Sequence, residues 1–136
     1  MKIYLDIDGT LIHEDNWDKE KQSANGLEEF IIALRKHETY WLTTHCRDGN
    51  PERAREIMKQ HLPVELHGDI DRIKPTTWDT LKTQGIDWES QFTWFDNDIS
   101  DSEWERFAMA DEGQQVFEVN LRENPDQLIE ITRDIL

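Results

Sequence analysis

Short runs rich in β-branched and aromatic residues alternate with stretches whose apolar residues recur at helical spacing, and this alternation limits what the chain can fold into. Lys2 to Ile7 reads as a first strand. Leu27, Phe30, Ile31 and Leu34 follow at helical intervals, with Asn25 placed to cap them. Thr39 to Thr43 (TYWLT) predicts a second strand. Asn50-Pro51 supplies a cap and a proline at the first helical position, ahead of a stripe of Ala54, Ile57, Met58 and Leu62. Pro63 to Leu66 reads as a short strand, and Lys74-Pro75 as the start of a helix carrying Trp78 and Leu81. Phe92 to Phe95 predicts a strand, Trp104, Phe107 and Ala108 a helix, and Gln115 to Val119 a further strand. Asn124-Pro125 repeats the cap-and-proline signal before Leu128, Ile131 and Ile135.

Strands separated by helices imply an α/β fold, with a central, mainly parallel sheet of about five strands and helices on both faces. A chain of 136 residues suits one domain over 1–136. At that length roughly 68% of the unfolded surface is buried, enough to fold without staples. In open α/β sheets, ligands bind beyond the C-terminal ends of the strands, near a switch in strand order. The residues expected there are Asp6-Ile7-Asp8, Thr43-Thr44 and Asp96-Asn97-Asp98.

Charge narrows the partners. Fifteen Lys and Arg against thirty Asp and Glu give a formal net charge of −15. Such a surface repels nucleic acid and anionic membranes, and an anionic substrate needs a local cation to approach. The single cysteine, Cys46, has no internal partner, which fits a reducing compartment. No apolar run approaches membrane-spanning length, and the N-terminus carries no leader pattern, so the cytoplasm is the expected location.

Asp6 and Asp8 stand two residues apart at the end of a buried strand, so both project to one side and repel each other. A divalent cation relieves that repulsion, and Gly9 lets the backbone turn away. Asp6-Ile7-Asp8-Gly9-Thr10-Leu11 resembles the first signature of the haloacid dehalogenase-like (HAD) superfamily, most of whose members are phosphatases. That family orders four motifs as Asp-x-Asp, a strand ending in Thr or Ser, a Lys, and a strand ending in an acidic cluster. Asp6/Asp8, Thr43, Lys74 and Asp96-Asn97-Asp98 follow the same order over about Met1 to Asp101.

The resemblance implies a Rossmann-like three-layer sandwich and Mg²⁺-dependent hydrolysis of phosphate monoesters through an aspartyl-phosphate. Asp6 would be the nucleophile and Asp8 the general acid, then base. Thr43, or its neighbour Thr44, would hold phosphoryl oxygens together with Lys74. Mg²⁺ would take Asp6, the main-chain carbonyl of Asp8 and one of Asp96 or Asn97. Relatives more often read Asp-Asp or Gly-Asp where this chain has Asp96-Asn97, which leaves both residues open as the ligand. Asp8 favours phosphate esters, since dehalogenases usually lack the second Asp and ion-pumping ATPases carry Thr there. Lys74 precedes Pro75 at an apparent helix start, where the macrodipole disfavours a cation, and a bound anion would remove that conflict.

The stretches Leu11 to Leu42 and Thr44 to Ile73 are each filled by one helix and its loops, as in members that lack a cap domain. An open site suits a macromolecular phosphoester, or a small one where an oligomer covers it, so a phosphorylated small molecule or a phosphoprotein is expected. The net charge argues against a nucleic-acid end unless a local basic patch around Arg47, Arg53 and Arg55 overrides it. His13 and Trp17 fall where the family places a mobile flap. His45 and Cys46 follow the threonines, but adjacency alone does not make a Cys–His pair. A calcium EF-hand fails, because Asp101 and Phe107 stand where that loop needs Gly and Glu. The competing reading is a non-hydrolytic phospho-acceptor or Mg²⁺-binding regulatory domain. Receiver-like domains place their acidic pair before the acceptor Asp, with Thr and Lys after it, an order this chain does not follow.

Overall fold

In the computed structural model, which describes residues 1–14 and 22–136, four parallel strands form one sheet in the order β2-β1-β3-β4. The strands are β1 (Lys2–Leu5), β2 (Glu38–Trp41), β3 (Phe92–Asp96) and β4 (Gln114–Glu118). Leu5 stands level with Trp41 on one side and with Phe95 on the other. The chain leaves β1 for one edge and returns past it to β3, so strand order switches between β1 and β3. In open α/β sheets this is where a crevice forms beyond the strand ends.

Both faces of the sheet are covered, because alternate residues of each strand point to opposite sides. Ile3, Leu5 and Phe95 join a core cluster with α1 (Leu27–Ala33), α2 (Glu52–Lys59), α3 (His67–Asp71) and α5 (Gln127–Asp134). Tyr4, Phe92 and Trp94 join a second cluster with Leu42, Trp78 and Ile86, against which Trp88 and Phe107 of α4 (Asp101–Phe107) pack. Periodicity located α1 well: Leu27, Phe30, Ile31 and Leu34 are all buried. Asn50 and Asn124 accept from the N–H groups of Glu52 and Asp126, but each stands outside the cap position expected of it: Pro51 and Asp126 take the caps of α2 and α5, and neither proline is the first helical residue. Asn25 does not cap α1; its amide donates to Asp126, and Gly26 takes the cap position.

Three expectations are corrected. The sheet has four strands, not about five: Val64–Leu66 is a 3-10 turn, with the Leu66 N–H donating to Pro63 and Val64 71% exposed. No helix opens at Lys74-Pro75. Lys74 instead adds one parallel bridge to the edge of β2, and the β-branched Thr76 and Thr77 run on in extended or irregular backbone to a 3-10 turn at Lys82–Gly85. In α4, Trp104 and Ala108 are exposed, and the helix turns Glu103 and the partly buried Phe107 inward. Among the described residues, no helix is long and apolar enough to cross a membrane.

Candidate active site

The strand ends converge as the parallel topology requires. The Asp6 N–H donates to Phe95 at 3.1 Å, and Leu42 reaches Leu5 at 2.7 Å, so the ends of β1, β2 and β3 lie side by side. Past Asp6 the chain folds into a tight turn in which Ile7 accepts from the N–H groups of Thr10 and Leu11. Gly9 adopts φ +79°, a conformation that other residues reach only with strain. A side chain at Gly9 would also run into the Asn97 amide, so this glycine lets the acidic loop after β3 close over the turn.

Lys82 is the centre of the site. Its Nζ lies 2.6 Å from Asp96 Oδ2 and 3.2 Å from Asp6 Oδ1, and its side chain is only 13% exposed. Its backbone is held from two sides. Gln84 Oε1 accepts the N–H groups of Asp79, Thr80 and Leu81, and Glu103 Oε2 accepts that of Lys82 at 3.0 Å. Glu103 is fixed in turn by a reciprocal cap with Ser100 at the start of α4.

Two buried carboxylates thus share one ammonium. Burial first, then repulsion from Asp96, pushes the Asp6 carboxyl up to about 7, against the pull of Lys82. Burial likewise raises Asp96. Burial disfavours the charge on Lys82, but Asp6 and Asp96 together hold its pKa above the ordinary lysine value. The cluster carries one negative charge in excess, and a proton or a cation can neutralise it.

Asp8 leaves the turn toward His45, whose Nε2 lies 2.6 Å from Asp8 Oδ2. Thr43 is fully buried at the end of β2, and its hydroxyl oxygen accepts the His45 N–H at 3.3 Å. Thr44 is exposed on the rim of an adjoining cavity. Cys46 is buried, with its thiol against Thr76 O, and burial raises its pKa, the opposite of what a thiolate nucleophile needs.

The structure does not bring Lys74 into this group. Its Nζ binds Glu38 at 2.9 Å and its side chain is 56% exposed. Residue 38 opens β2, whereas the acids gather beyond the closing ends of the strands. The position expected of Lys74 is filled by Lys82. Asp96 spends its carboxylate on Lys82 and on the Asp98 N–H, while Asn97 faces Gly9 and donates to Glu14. The His13 backbone pairs with Gln22, and Trp17 lies outside the described residues.

Among the described residues, no group of three or more His, Cys, Asp or Glu is gathered as a metal cage. Mg²⁺ needs less, since it keeps several waters and takes one or two carboxylates. Asp6, the Asp8 main chain and Asn97 offer the hard oxygen donors it prefers, beside an uncompensated charge. Comparison with family models, with curated proteins and with solved structures finds no match.

Proposed function

We propose that this chain is a phosphate monoester hydrolase of the HAD type, with a Rossmann-like fold and no cap domain, working through an aspartyl-phosphate on Asp6. The observation that carries the reading is the shared grip of Lys82 on Asp6 and Asp96 at the strand-order switch, with Asp8 one turn away. It joins the first, third and fourth elements of the resemblance through a lysine that motif order alone did not select.

Asp6 Oδ attacks phosphorus in line with the ester oxygen; the new Asp6–O–P bond forms as the P–O bond to the alcohol breaks. Lys82 holds Asp6 in position and opposes the protonation that burial and Asp96 favour, and its charge lies beside the phosphoryl oxygens. Asp8 gives a proton to the departing alkoxide, then removes one from the water that cleaves the acyl phosphate. His45 holds one oxygen of Asp8 in place through both steps. The Thr43 hydroxyl and adjacent amides bind phosphoryl oxygen. Mg²⁺, held by Asp6, the Asp8 carbonyl and Asn97, would supply positive charge to an anionic substrate on an acidic protein.

The test is hydrolysis across phosphometabolites and phosphopeptides, with and without Mg²⁺, for wild type and Asp6→Asn. Mg²⁺-dependent turnover in wild type, lost by roughly 10⁴-fold in Asp6→Asn, is expected. A single burst of phosphorylation without turnover would instead support a phospho-acceptor, and equal rates in both proteins would refute Asp6 as nucleophile.

A further inference from the structure

Beside Asp8 the surface opens into a cavity of about 360 Å³ whose walls include His45, Arg53, Gln60 and His61. A second cavity, about 350 Å³ and bordered by Thr44 and Arg47, shares His45 and Arg53 with it. Arg53 therefore stands on the ridge between two hollows, with the proposed general acid facing one of them. The first hollow is mainly polar, and between them the two hollows carry the donors His45, Arg47, Arg53 and His61 beside the carboxylates of Asp8 and Asp48.

The other arginines near this face are occupied. Arg47 stacks on Trp78 and donates to the Asp79 carbonyl, and Arg55 binds Glu52 and Asp71. Farther away, Arg35 and Arg72 share Asp69 and Arg133 holds Asp134. Arg53 makes no hydrogen bond or ion pair with a described residue, although carboxylates outnumber cations two to one in this chain. A guanidinium is a planar fork that matches carboxylate and phosphate oxygens in pairs. An unpaired one at the mouth of a cavity that also contains the reacting acid is placed to receive an anion.

We infer that Arg53 binds a second anionic group of the substrate, so that the preferred substrate is a small phosphate monoester bearing a further carboxylate or phosphate. This rests on the phosphatase reading above. It also answers a problem posed by the net charge, since Lys82 is committed to Asp6 and Asp96 and offers no attraction to the part of the substrate that does not react.

The test uses a matched pair of ligands, 3-phosphoglycerate and glycerol 3-phosphate, which differ in having a carboxylate or a neutral hydroxymethyl group. Binding is measured by calorimetry with Mg²⁺ on full-length Asp6→Asn protein, where turnover does not interfere. With Arg53 present, the carboxylate ligand should bind about ten- to a hundredfold more tightly, as a charged hydrogen-bonded pair allows. Arg53→Gln should bring the ratio to near one, and Arg53→Lys should retain part of it. Equal binding of the two ligands, binding of neither, or a preference that survives Arg53→Gln overturns the inference. Hydrolysis by the protein with Asp6 intact separates the two claims. A binding preference without turnover sinks the phosphatase reading and leaves the anion site; turnover of both esters with equal kcat/KM does the reverse.

Discussion

Lys82 Nζ lies 3.2 Å from Asp6 Oδ1, and the two residues reach each other from opposite ends of the chain segment that builds the first half of the sheet. On the proposed mechanism the contact gives Lys82 both a structural and a chemical role. Lys82→Met should leave Asp6 and Asp96 buried without a counter-charge and destabilise the fold by about 3–5 kcal/mol, as removal of one partner from a buried pair does. It should also abolish phosphate hydrolysis under conditions where the variant remains folded. Lys74→Met removes an exposed contact with Glu38 and a cation–π contact with Tyr40, both away from the acids, and should leave kcat/KM within about twofold. Chemical denaturation and steady-state rates on the two variants decide between the lysines, and a silent Lys82→Met with an inactive Lys74→Met would reverse the assignment.

What was readable in the sequence and what was not follow from the same physics. Helix α1 was legible because a 3.6-residue period survives in Leu27, Phe30, Ile31 and Leu34, and β3 because its run is apolar and aromatic and buried throughout. The acids at strand ends were legible because parallel topology dictates where such ends gather. Lys82 was not, because the segment from Pro75 to Ser90 has no period: its path is set by side chains that bind backbone, Gln84 on residues 79–81 and Glu103 on Lys82 itself. The Ser100-x-x-Glu103 spacing is a capping signature that would have exposed α4's start and its buried acid. Counting apolar residues marked the helix by Trp104, Phe107 and Ala108 and passed over Glu103, the residue that the chain buries there. Four residues from Pro63 to Leu66 hold too little pattern to separate a strand from a turn.

The 2.6 Å contact between His45 and Asp8 predicts a dependence on the leaving group. Proton delivery matters most for alkyl esters, whose alkoxides are poor leaving groups, and least for p-nitrophenyl phosphate. General acid catalysis contributes about 10²–10⁴-fold, and His45→Ala should forfeit roughly tenfold of it by removing the contact that His45 makes with the Asp8 carboxyl. The loss should appear in kcat for alkyl phosphates and nearly vanish for p-nitrophenyl phosphate. His45→Gln, which can still donate to Asp8, should recover part of the rate. An equal loss on both substrates would show that His45 serves the fold rather than Asp8.

Gly9 couples the first turn to the loop after β3. Gly9→Ala meets strain at φ +79° on the order of 1–2 kcal/mol and displaces the Asn97 amide. The expected result is a lower melting temperature together with weaker Mg²⁺ dependence of hydrolysis, read as a raised half-saturating Mg²⁺ concentration. Asn97→Ala should raise that concentration without lowering the melting temperature comparably, because it adds no backbone strain. If Gly9→Ala lowers stability while the Mg²⁺ response stays that of wild type, Asn97 is not a ligand.

Asp6, the proposed nucleophile, carries a cost to stability, and the sign of its pH dependence follows from its surroundings. Burial and Asp96 raise its folded-state pKa from 3.8 to about 7, so the folded protein holds a proton there that the unfolded chain releases. Stability from this source is therefore greatest below about pH 4 and is lost as pH rises through 7. Asp6→Asn cannot ionise, and it leaves Lys82 paired one to one with Asp96. In metal-free protein the variant should gain stability relative to wild type as pH goes from 5 to 8, by a few kcal/mol at most. Mg²⁺ should narrow the gap by stabilising wild type more than the variant. Calorimetric melts of both proteins at the two pH values, with and without Mg²⁺, provide the check. A stability difference that is flat with pH would mean that the Asp6 carboxyl is not desolvated by its neighbours, and the charge excess that calls for a cation would go with it.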